Sequence, residues 1–162
     1  MSMSDKIVIM WQGVIAQEGE PAAIYSKPAS SFVADFIGKS NILPILDIDS
    51  SSSCIQVTSA KDAPLLRAAA VPNSQTAHVC CIRPENVKVL RAGEDVPVHF
   101  NRLEGRLHRI TNLGAYLELA VEIGPEFELS ALVRSTRFPE LPPLGGSLSV
   151  VVDPATVQLL TH

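Results

Sequence analysis

An arginine and a glutamate flank a proline at residues 82–85, and they form the sharpest chemical pattern in the chain. Arg83 follows a β-rich run and directly precedes Pro84, which cannot continue a sheet because proline has no backbone N–H donor. The pattern therefore predicts that Arg83 is fixed at the end of a strand, beside the carboxylate of Glu85. A guanidinium offers a planar fork of donors, which suits an anion or a partner surface. The alternative is a structural ion pair that pins a loop.

A second candidate cluster lies in residues 105–119, where apolar and polar residues alternate on either side of a turn at Asn112-Leu113-Gly114. This alternation predicts a β-hairpin. Arg106, Arg109 and Asn112 could gather hydrogen-bond donors near that turn and so form part of a binding site. The alternative is a set of solvent-facing polar groups on a hairpin.

The triplet Gly38-Lys39-Ser40 resembles the end of a phosphate-binding loop, but its context argues against nucleotide binding. The phosphate-loop pattern requires a glycine five residues before the Gly-Lys pair, and Val33 occupies that position. A phosphate loop also precedes a helix, so that backbone amides face the phosphates. Here the triplet follows a predicted helix, and Gly38 is better interpreted as the residue that ends it.

Catalytic and metal-binding patterns are not evident in the rest of the sequence. The four histidines show no i, i+4 pair, and no serine has the glycine-flanked setting of a nucleophile elbow. His99 and His108 are predicted to be strand residues. Cys80 and Cys81 are neighbours on a predicted strand, so their side chains should point to opposite faces and cannot share a metal. Together with Cys54 they make an odd number, which fits a reducing compartment and buried free thiols.

The composition describes one globular domain, or a small domain with an attached segment. The chain has 162 residues, 46% of them hydrophobic, with a mean hydropathy of +0.22. Its net charge of −4 argues against general nucleic-acid binding, which needs a basic surface. No apolar run reaches the roughly 18 residues that span a membrane, and no secretory signal is evident.

The order of predicted elements divides the chain near residue 41. Residues 6–19 are predicted to form a β-hairpin with its turn at Gly13, followed by helices over about 21–26 and 32–37. After residue 41, short runs separated by serine, proline and glycine predict a small β-barrel or sandwich. The predicted strands are 41–48, 54–58, 78–83, 96–100, 105–112, 115–121, 128–133 and 147–152, with short pieces at 87–90 and 157–160; residues 65–71 are strand or irregular.

Taken in order, these segments resemble the C-terminal part of the ATP-binding subunit of ABC importers, in the subfamily that handles polyamines, ferric iron, sulfate, maltose-type sugars or phosphonates. The resemblance rests on Ser4-Asp5-Lys6-Ile7-Val8-Ile9-Met10 and Gly19-Glu20-Pro21, then on residues 32–38 with Asn41. The Ile82-Arg83-Pro84-Glu85 segment and the Gly105…Tyr116 hairpin resemble the hallmarks of the transport-associated OB (TOBE) domain.

The resemblance implies a mostly β fold, with a small OB-like β-barrel of the TOBE type over residues 41–162. A β-hairpin and two short helices over 1–40 would be the end of the nucleotide-binding domain. In the family, the phosphate loop, signature motif, carboxylate-ending strand and switch histidine precede the Ser-Asp-Lys segment, and the sequence contains none of them. We therefore expect no ATP binding, hydrolysis or cofactor in this chain; ATP and Mg²⁺ would belong to a full-length parent.

The same resemblance implies a regulatory and dimerisation role. It predicts a homodimer through the β-domain, membrane permease subunits as partners, and a cytoplasmic location at the inner face of the membrane. It also allows a bound solute, and the candidate ligand or interface contacts are Arg83, Glu85, Arg109 and Asn112. The alternative is a stand-alone OB module that binds small oxyanions. A nucleic-acid-binding OB fold is disfavoured because the chain lacks a basic face with stacking aromatics.

Overall fold

The computed structural model describes residues 5–49, 51–57, 65–69, 77–91, 93–124 and 127–161. The strands are β1 (Ile7–Trp11), β2 (Val14–Gly19), β3 (Asn41–Pro44), β4 (Asp47–Asp49), β5 (Cys54–Gln56), β6 (Leu65–Arg67), β7 (Val79–Ile82), β8 (Val87–Val89), β9 (Asn101–Asn112), β10 (Tyr116–Gly124), β11 (Phe127–Arg134), β12 (Ser147–Val152) and β13 (Gln158–Leu160). The helices are α1 (Pro21–Ser26) and α2 (Ser31–Ile37), with short 3₁₀ turns at Pro84–Asn86, Ser135–Glu140 and Pro154–Thr156.

Strands β1 and β2 form the predicted hairpin, and Gln12-Gly13 forms the turn between them. Both residues have positive φ angles, 49° and 82°, which is the requirement of a two-residue type I′ turn. The hairpin packs on the two helices through Ile9, Ile24 and Val33, which form a small cluster separate from the main core. The N-terminal segment therefore has a small apolar cluster of its own.

The two helices begin and end close to where the sequence predicts. α1 starts at Pro21, whose fixed φ suits the first helical turn. α2 starts after Ser30, whose hydroxyl accepts a hydrogen bond from the Val33 amide at 3.4 Å. Gly38 ends α2, but with an extended φ of 174° rather than a left-handed turn. A Cβ at Gly38 would lie 3.4 Å from the Tyr25 ring, so the glycine allows the chain to pass closely beside α1.

The remaining strands build three antiparallel sheets around one core. The largest sheet has the order β11-β10-β9-β12-β8, and two three-stranded sheets have the orders β13-β7-β3 and β4-β5-β6. All three sheets contribute to a single cluster of buried apolar residues, including Leu43, Ile55, Ile82, Leu119 and Val150. This arrangement confirms the predicted mostly β fold with an OB-like barrel. Within the described ranges, the helices are too short to span a bilayer.

Two buried asparagines link neighbouring sheets, because each side-chain amide forms the pair of hydrogen bonds that the backbone of an adjacent strand would form. The Asn41 side chain of β3 donates to the Ser130 carbonyl at 2.9 Å and accepts from the Ser130 amide at 2.6 Å. The Asn101 side chain of β9 makes the same pair of bonds with Arg67 of β6, at 2.9 and 2.6 Å. Each amide therefore satisfies both hydrogen-bonding groups of one residue on a strand that belongs to another sheet.

The structure corrects several strand predictions. Residues 96–100 were predicted as a strand but form a turn, in which the Phe100 amide donates to the Pro97 carbonyl at 2.9 Å. Pro97 cannot donate to a sheet, and Val98 is 95% exposed. The predicted strand 41–48 is divided into β3 and β4 after Pro44, and β9 begins at Asn101 rather than at residue 105. Residues 65–67 form strand β6, whereas residues 58, 70 and 71 lie outside the described ranges.

Candidate functional site

Arg83 lies directly after β7, at the point where the chain leaves the sheet. Pro84 follows and begins a 3₁₀ turn, as the sequence pattern predicts. The Arg83 side chain is directed toward α1 and α2, and the residue is only 4% exposed. A buried guanidinium needs compensating partners, because moving a charge out of water is costly.

The partners of Arg83 are main-chain carbonyls at the ends of both helices. Its guanidinium donates to the carbonyls of Ala34 and Gly38 at 2.9 Å each and to that of Tyr25 at 3.2 Å. It also donates to the Ser40 hydroxyl. The Tyr25 and Ala34 carbonyls lie in the last turns of α1 and α2, where carbonyls lack intrahelical partners and carry the negative end of the helix dipole. Arg83 therefore caps both helices at once.

Tyr25 completes this cluster. The Arg83 guanidinium carbon lies 4.2 Å from the centre of the Tyr25 ring, in a cation–π arrangement. The Tyr25 hydroxyl donates to the Glu85 carboxylate. Burial and the hydrogen bond to that carboxylate raise the pKa of Tyr25 to about 12. We call Tyr25, Arg83 and Glu85, with the carbonyls that Arg83 binds, the arginine joint.

The arginine joint brings two of the four candidate residues together, though not as an ion pair. Arg83 is bound by carbonyls, whereas Glu85 is bound by Tyr25. Arg83 therefore holds a segment in place, as the structural alternative predicts, but it does so through hydrogen bonds to carbonyls rather than through an ion pair. The segment that it holds is the N-terminal one. Tyr25 is not among the predicted site residues, because neither its spacing nor its neighbours indicate which residue α1 would bring against Arg83.

The other two candidates, Arg109 and Asn112, lie on β9. A β-bulge occurs in β9, since Ala120 pairs with Arg109 whereas Val121 pairs with Leu107, and His108 is the extra residue. The bulge lets two consecutive side chains reach Glu128: the His108 Nδ1 lies 2.8 Å from Glu128 Oε2, and the Arg109 Nη2 lies 3.7 Å from Glu128 Oε1. Arg109 is therefore an exposed cation beside a carboxylate.

Asn112 has a local structural contact at the end of β9. Its Oδ1 accepts a hydrogen bond from the Gly114 amide at 2.8 Å, and Gly114 has a φ of 84°. This contact stabilises the β9–β10 turn. Arg106 pairs with Glu122 in the sheet register, six residues along the strand from Asn112. The structure therefore does not gather Arg106, Arg109 and Asn112 at the turn.

The residues of the Gly38-Lys39-Ser40 triplet all make contacts within the chain. The Lys39 ammonium forms an ion pair with Glu118 on β10, and the Lys39 hydrogen bond and charge lower the pKa of that carboxyl. The Ser40 hydroxyl accepts from Arg83. The triplet therefore connects α2 to the barrel. It follows α2 rather than preceding a helix, as predicted.

The two adjacent cysteines face opposite sides of β7, as predicted. Cys80 lies in the barrel core, and Cys81 lies in a separate cluster with Ala34 and Leu160. Burial raises the pKa of the Cys80 thiol to about 12, and burial also raises the pKa of Cys81. In the described part of the chain, no group of three or more His, Cys, Asp or Glu side chains could hold a metal ion.

Comparison with known proteins agrees with this architecture. Residues 80–160 match the TOBE domain family. The chain is 37% identical over 116 residues to the spermidine/putrescine import ATP-binding protein PotA of Thermobifida fusca, covering 71% of this chain and 29% of that protein. It is 32% identical over 124 residues to the Fe(3+) ions import ATP-binding protein FbpC of Rhizobium etli, covering 75% of this chain and 32% of that protein.

A third relative matches nearly the whole chain. The PotA protein of Borreliella afzelii is 30% identical over 168 residues, covering 99% of this chain and 41% of that protein. The chain thus spans between 29% and 41% of the length of these three relatives.

A solved structure of the cytoplasmic molybdate-binding protein ModG has a similar fold. The TM-score is 0.58 at 17% identity, and the likeness covers 76% of this chain and 96% of ModG. At this identity the likeness concerns the fold alone. The family match and the relatives confirm the resemblance on which the sequence analysis relies: the chain belongs to the TOBE domain family and is similar to the TOBE-containing, C-terminal part of ABC importer ATP-binding subunits.

Proposed function

We propose that this chain is a non-catalytic regulatory and dimerisation domain of the ATP-binding subunit of an ABC solute importer. Its membership of the TOBE family and its similarity to polyamine and ferric-iron import ATP-binding proteins support this assignment. The observation that carries the coupling role is the arginine joint, which fastens the helical segment to the barrel through one buried cation.

The joint is suited to transmit movement because its partners lie on both helices. Arg83 binds the end of α1 through Tyr25 and the end of α2 through Ala34 and Gly38. A displacement of either helix relative to the barrel would separate a buried charge from its acceptors, which is strongly unfavourable. The helices and the barrel should therefore move as one body, and a change in one should reach the other.

The proposed role does not require catalysis by this chain. Lys39 is paired with Glu118 and Ser40 is bound to Arg83, so neither is directed at a nucleotide. ATP and Mg²⁺ would be bound by the ATP-binding part of the importer subunit, and the barrel would act beside it. We expect the pure chain to hydrolyse no ATP; hydrolysis that is lost in Lys39→Ala would contradict this.

The proposal includes the partners and location that the family implies. The β-domain would pair with that of a second subunit, and permease subunits would hold the assembly at the cytoplasmic face of the membrane. Arg109 and Asn112 lie at the exposed end of β9 and stay our candidates for contact with a second subunit or a solute. Arg83 and Glu85 contact the chain's own helices, so their part in such an interface would be indirect.

Transport in the native cells tests this function. We would delete the gene and measure the uptake of labelled spermidine, putrescine and Fe³⁺, with an unrelated sugar as the control solute. The proposal predicts that uptake of one of these classes falls or loses its regulation and is restored by the wild-type gene. Unchanged uptake of all three, together with no importer subunits purified with the tagged chain, would contradict it.

A second candidate function is a stand-alone module that binds small oxyanions. The observation in its favour is the likeness of fold to ModG, of which 96% is covered. Calorimetric titration of the pure chain with molybdate, sulfate, a phosphonate and spermidine tests it. Saturable binding of one oxyanion at micromolar concentration would favour this alternative, and flat titrations would count against it.

A further inference from the structure

A cavity opens on the solvent-facing side of the largest sheet, between strands β9, β10 and β12. Its volume is about 620 Å³, which is in the range of small-molecule sites. Arg106, Glu122 and Ser147 are among the polar residues that line it. They lie in one row across the sheet, because Arg106 is directly opposite Ser147 on one neighbouring strand and Glu122 on the other. The cavity therefore presents a cation, a carboxylate and a hydroxyl side by side.

The two charged members of this row are unpaired, although they are directly opposite each other. Opposite charges in this cross-strand arrangement commonly interact. Within the residues that the structure describes, neither Arg106 nor Glu122 forms an ion pair or a hydrogen bond through its side chain. The nearby Glu104, by contrast, is bound by Arg102 on the same strand. The guanidinium of Arg106 and the carboxylate of Glu122 are therefore available to a third group.

The backbone around the cavity fixes where these two side chains begin. Strands β9 and β10 approach closely at Gly105, where a Cβ would lie 2.7 Å from the Glu122 carbonyl and 2.8 Å from Ile123 Cδ1. Ile123 is the extra residue of a bulge in β10, since Glu122 pairs with Glu128 whereas Gly124 pairs with Phe127. Its half-buried side chain packs partly on the core and also lines the cavity, so it adds an apolar wall beside the two charges.

This arrangement favours a ligand that carries both charges. A simple anion would bind Arg106 but would be repelled by Glu122 and Glu104, whereas a simple cation would bind Glu122 but would be repelled by Arg106. In an α-amino acid the carboxylate and the ammonium are attached to the same carbon, so one molecule can bind two groups that are directly opposite each other. The guanidinium fork suits the carboxylate, and the Ser147 hydroxyl can donate a further hydrogen bond to it.

We propose that this cavity binds a free α-amino acid with an apolar side chain. Its carboxylate would bind Arg106 and Ser147, its ammonium would bind Glu122, and its side chain would lie against Ile123. The inference goes beyond the proposed function and does not depend on it, because it uses none of the four candidate contacts predicted from the sequence and can be tested on the pure chain.

Titration of the ¹⁵N-labelled chain with leucine, followed by amide NMR, tests the proposal. The wild type should bind leucine saturably, with a dissociation constant of about 1 mM or lower, and the shifts should concentrate at Gly105 and Gly124 beside the cavity. Arg106→Gln and Glu122→Gln should each weaken binding at least about tenfold, because each removes one charged partner of the ligand. Arg134→Gln is the matched control, since Arg134 is an exposed arginine of the same sheet that does not line the cavity.

Two leucine derivatives test the assignment of each charge. N-acetyl-leucine lacks the ammonium and leucinamide lacks the carboxylate, so each should bind the wild type at least about tenfold more weakly than leucine. Glu122→Gln should not weaken the binding of N-acetyl-leucine further, and Arg106→Gln should not weaken that of leucinamide further. Should Arg106→Gln not fold, Arg106→Lys replaces it, because lysine keeps the charge but lacks the planar fork.

Each outcome has a definite meaning. No saturable binding of leucine, equal binding by Arg106→Gln or Glu122→Gln, or equally tight binding of N-acetyl-leucine overturns the proposal. Shifts confined to residues away from the cavity overturn it too. Leucine binding with unchanged uptake in the deletion strain contradicts only the proposed function, and lost uptake without leucine binding contradicts only this site.

Discussion

Replacing Arg83 by methionine should separate the unfolding of the helical segment from that of the barrel. Methionine keeps most of the volume of the side chain but has neither charge nor donors. The variant loses three carbonyl bonds of 2.9, 2.9 and 3.2 Å and the stack on Tyr25. The N-terminal cluster is separate from the main core, but the segment is also held to the barrel by the contact of Ala34 with Cys81 and Leu160 and by the hydrogen bond from the Ser31 amide to the Thr161 carbonyl.

The expected loss is about 3 kcal/mol. Hydrogen bonds to a charged group contribute about 1.5–3 kcal/mol each, and a desolvated cation–π contact adds up to ~2 kcal/mol. The desolvation of the cation offsets several kcal/mol of this sum, and breaking a buried ionic contact has a net effect of about 3–5 kcal/mol. We expect a loss at the lower end of this range, because methionine leaves carbonyl groups unpaired rather than a second charge.

Urea unfolding followed by two probes measures the effect. Trp11 is the single tryptophan of the chain and packs against Phe32, so its fluorescence reports the hairpin and helices. Far-UV circular dichroism reports mainly the barrel. In the wild type the two transitions should coincide. In Arg83→Met the fluorescence midpoint should fall by about 1–2 M urea, given a slope of roughly 2 kcal/mol per M.

The control is Arg91→Met, which removes an exposed arginine that forms a bidentate pair with Glu140. Exposed pairs contribute at most about 1 kcal/mol, so both probes should stay near the wild-type midpoint. Coincident transitions of Arg83→Met within about 0.5 kcal/mol of the wild type, a shift that exposed substitutions produce, would show that Arg83 does not fasten the segment.

Three further predictions concern the contacts between sheets and the buried side chains. Asn41→Leu should lower the free energy of unfolding by about 2–3 kcal/mol in a urea titration, because it leaves buried main-chain groups unpaired. Asn112→Ala, at an exposed turn, is the control and should change the free energy of unfolding by less than about 1 kcal/mol in the same titration. Tyr25 has a pKa of about 12 in the fold against 10.0 for an ordinary tyrosine, so its stabilising contribution is complete below pH 10 and is lost as the pH rises toward 12. The urea midpoint should therefore fall less between pH 10 and pH 12 in Tyr25→Phe than in the wild type. A thiol reagent should label Cys54 in the native chain and Cys80 only after unfolding, because the Cys80 thiol is buried with its pKa raised to about 12; rapid native labelling of Cys80 in mass spectrometry would contradict this.

The sequence predicted the elements whose local signals are strong. The Gln12-Gly13 turn, the proline at the start of α1 and the serine before α2 each fix a boundary through the backbone of a few residues. The predicted strand over 96–100 is wrong because Pro97 cannot donate to a sheet, and the segment forms a turn instead. Strand β9 begins at Asn101, four residues before the predicted start at Gly105. Gly105 lies inside the strand, where a Cβ would lie 2.7 Å from the Glu122 carbonyl.

The candidate site was predictable only in part. The position of Arg83 at a strand end follows from Pro84, but its acceptors are carbonyls of α1 and α2, and carbonyls have no signature in a sequence. Tyr25 lies 58 residues from Arg83, and only the packing of the helices on the barrel brings them together. The bulge that directs His108 and Arg109 to one carboxylate also depends on strand register, which periodicity alone does not fix.

We propose that the arginine joint couples the helical segment to the barrel in a working importer. The most direct test is the initial uptake rate of the affected solute in the deletion strain carrying wild-type, Arg83→Met or Arg91→Met genes, with equal protein levels confirmed by immunoblot. Arg91→Met should restore uptake and its regulation, whereas Arg83→Met should not. Full restoration by Arg83→Met, at a protein level equal to that of the wild type, would contradict this proposal.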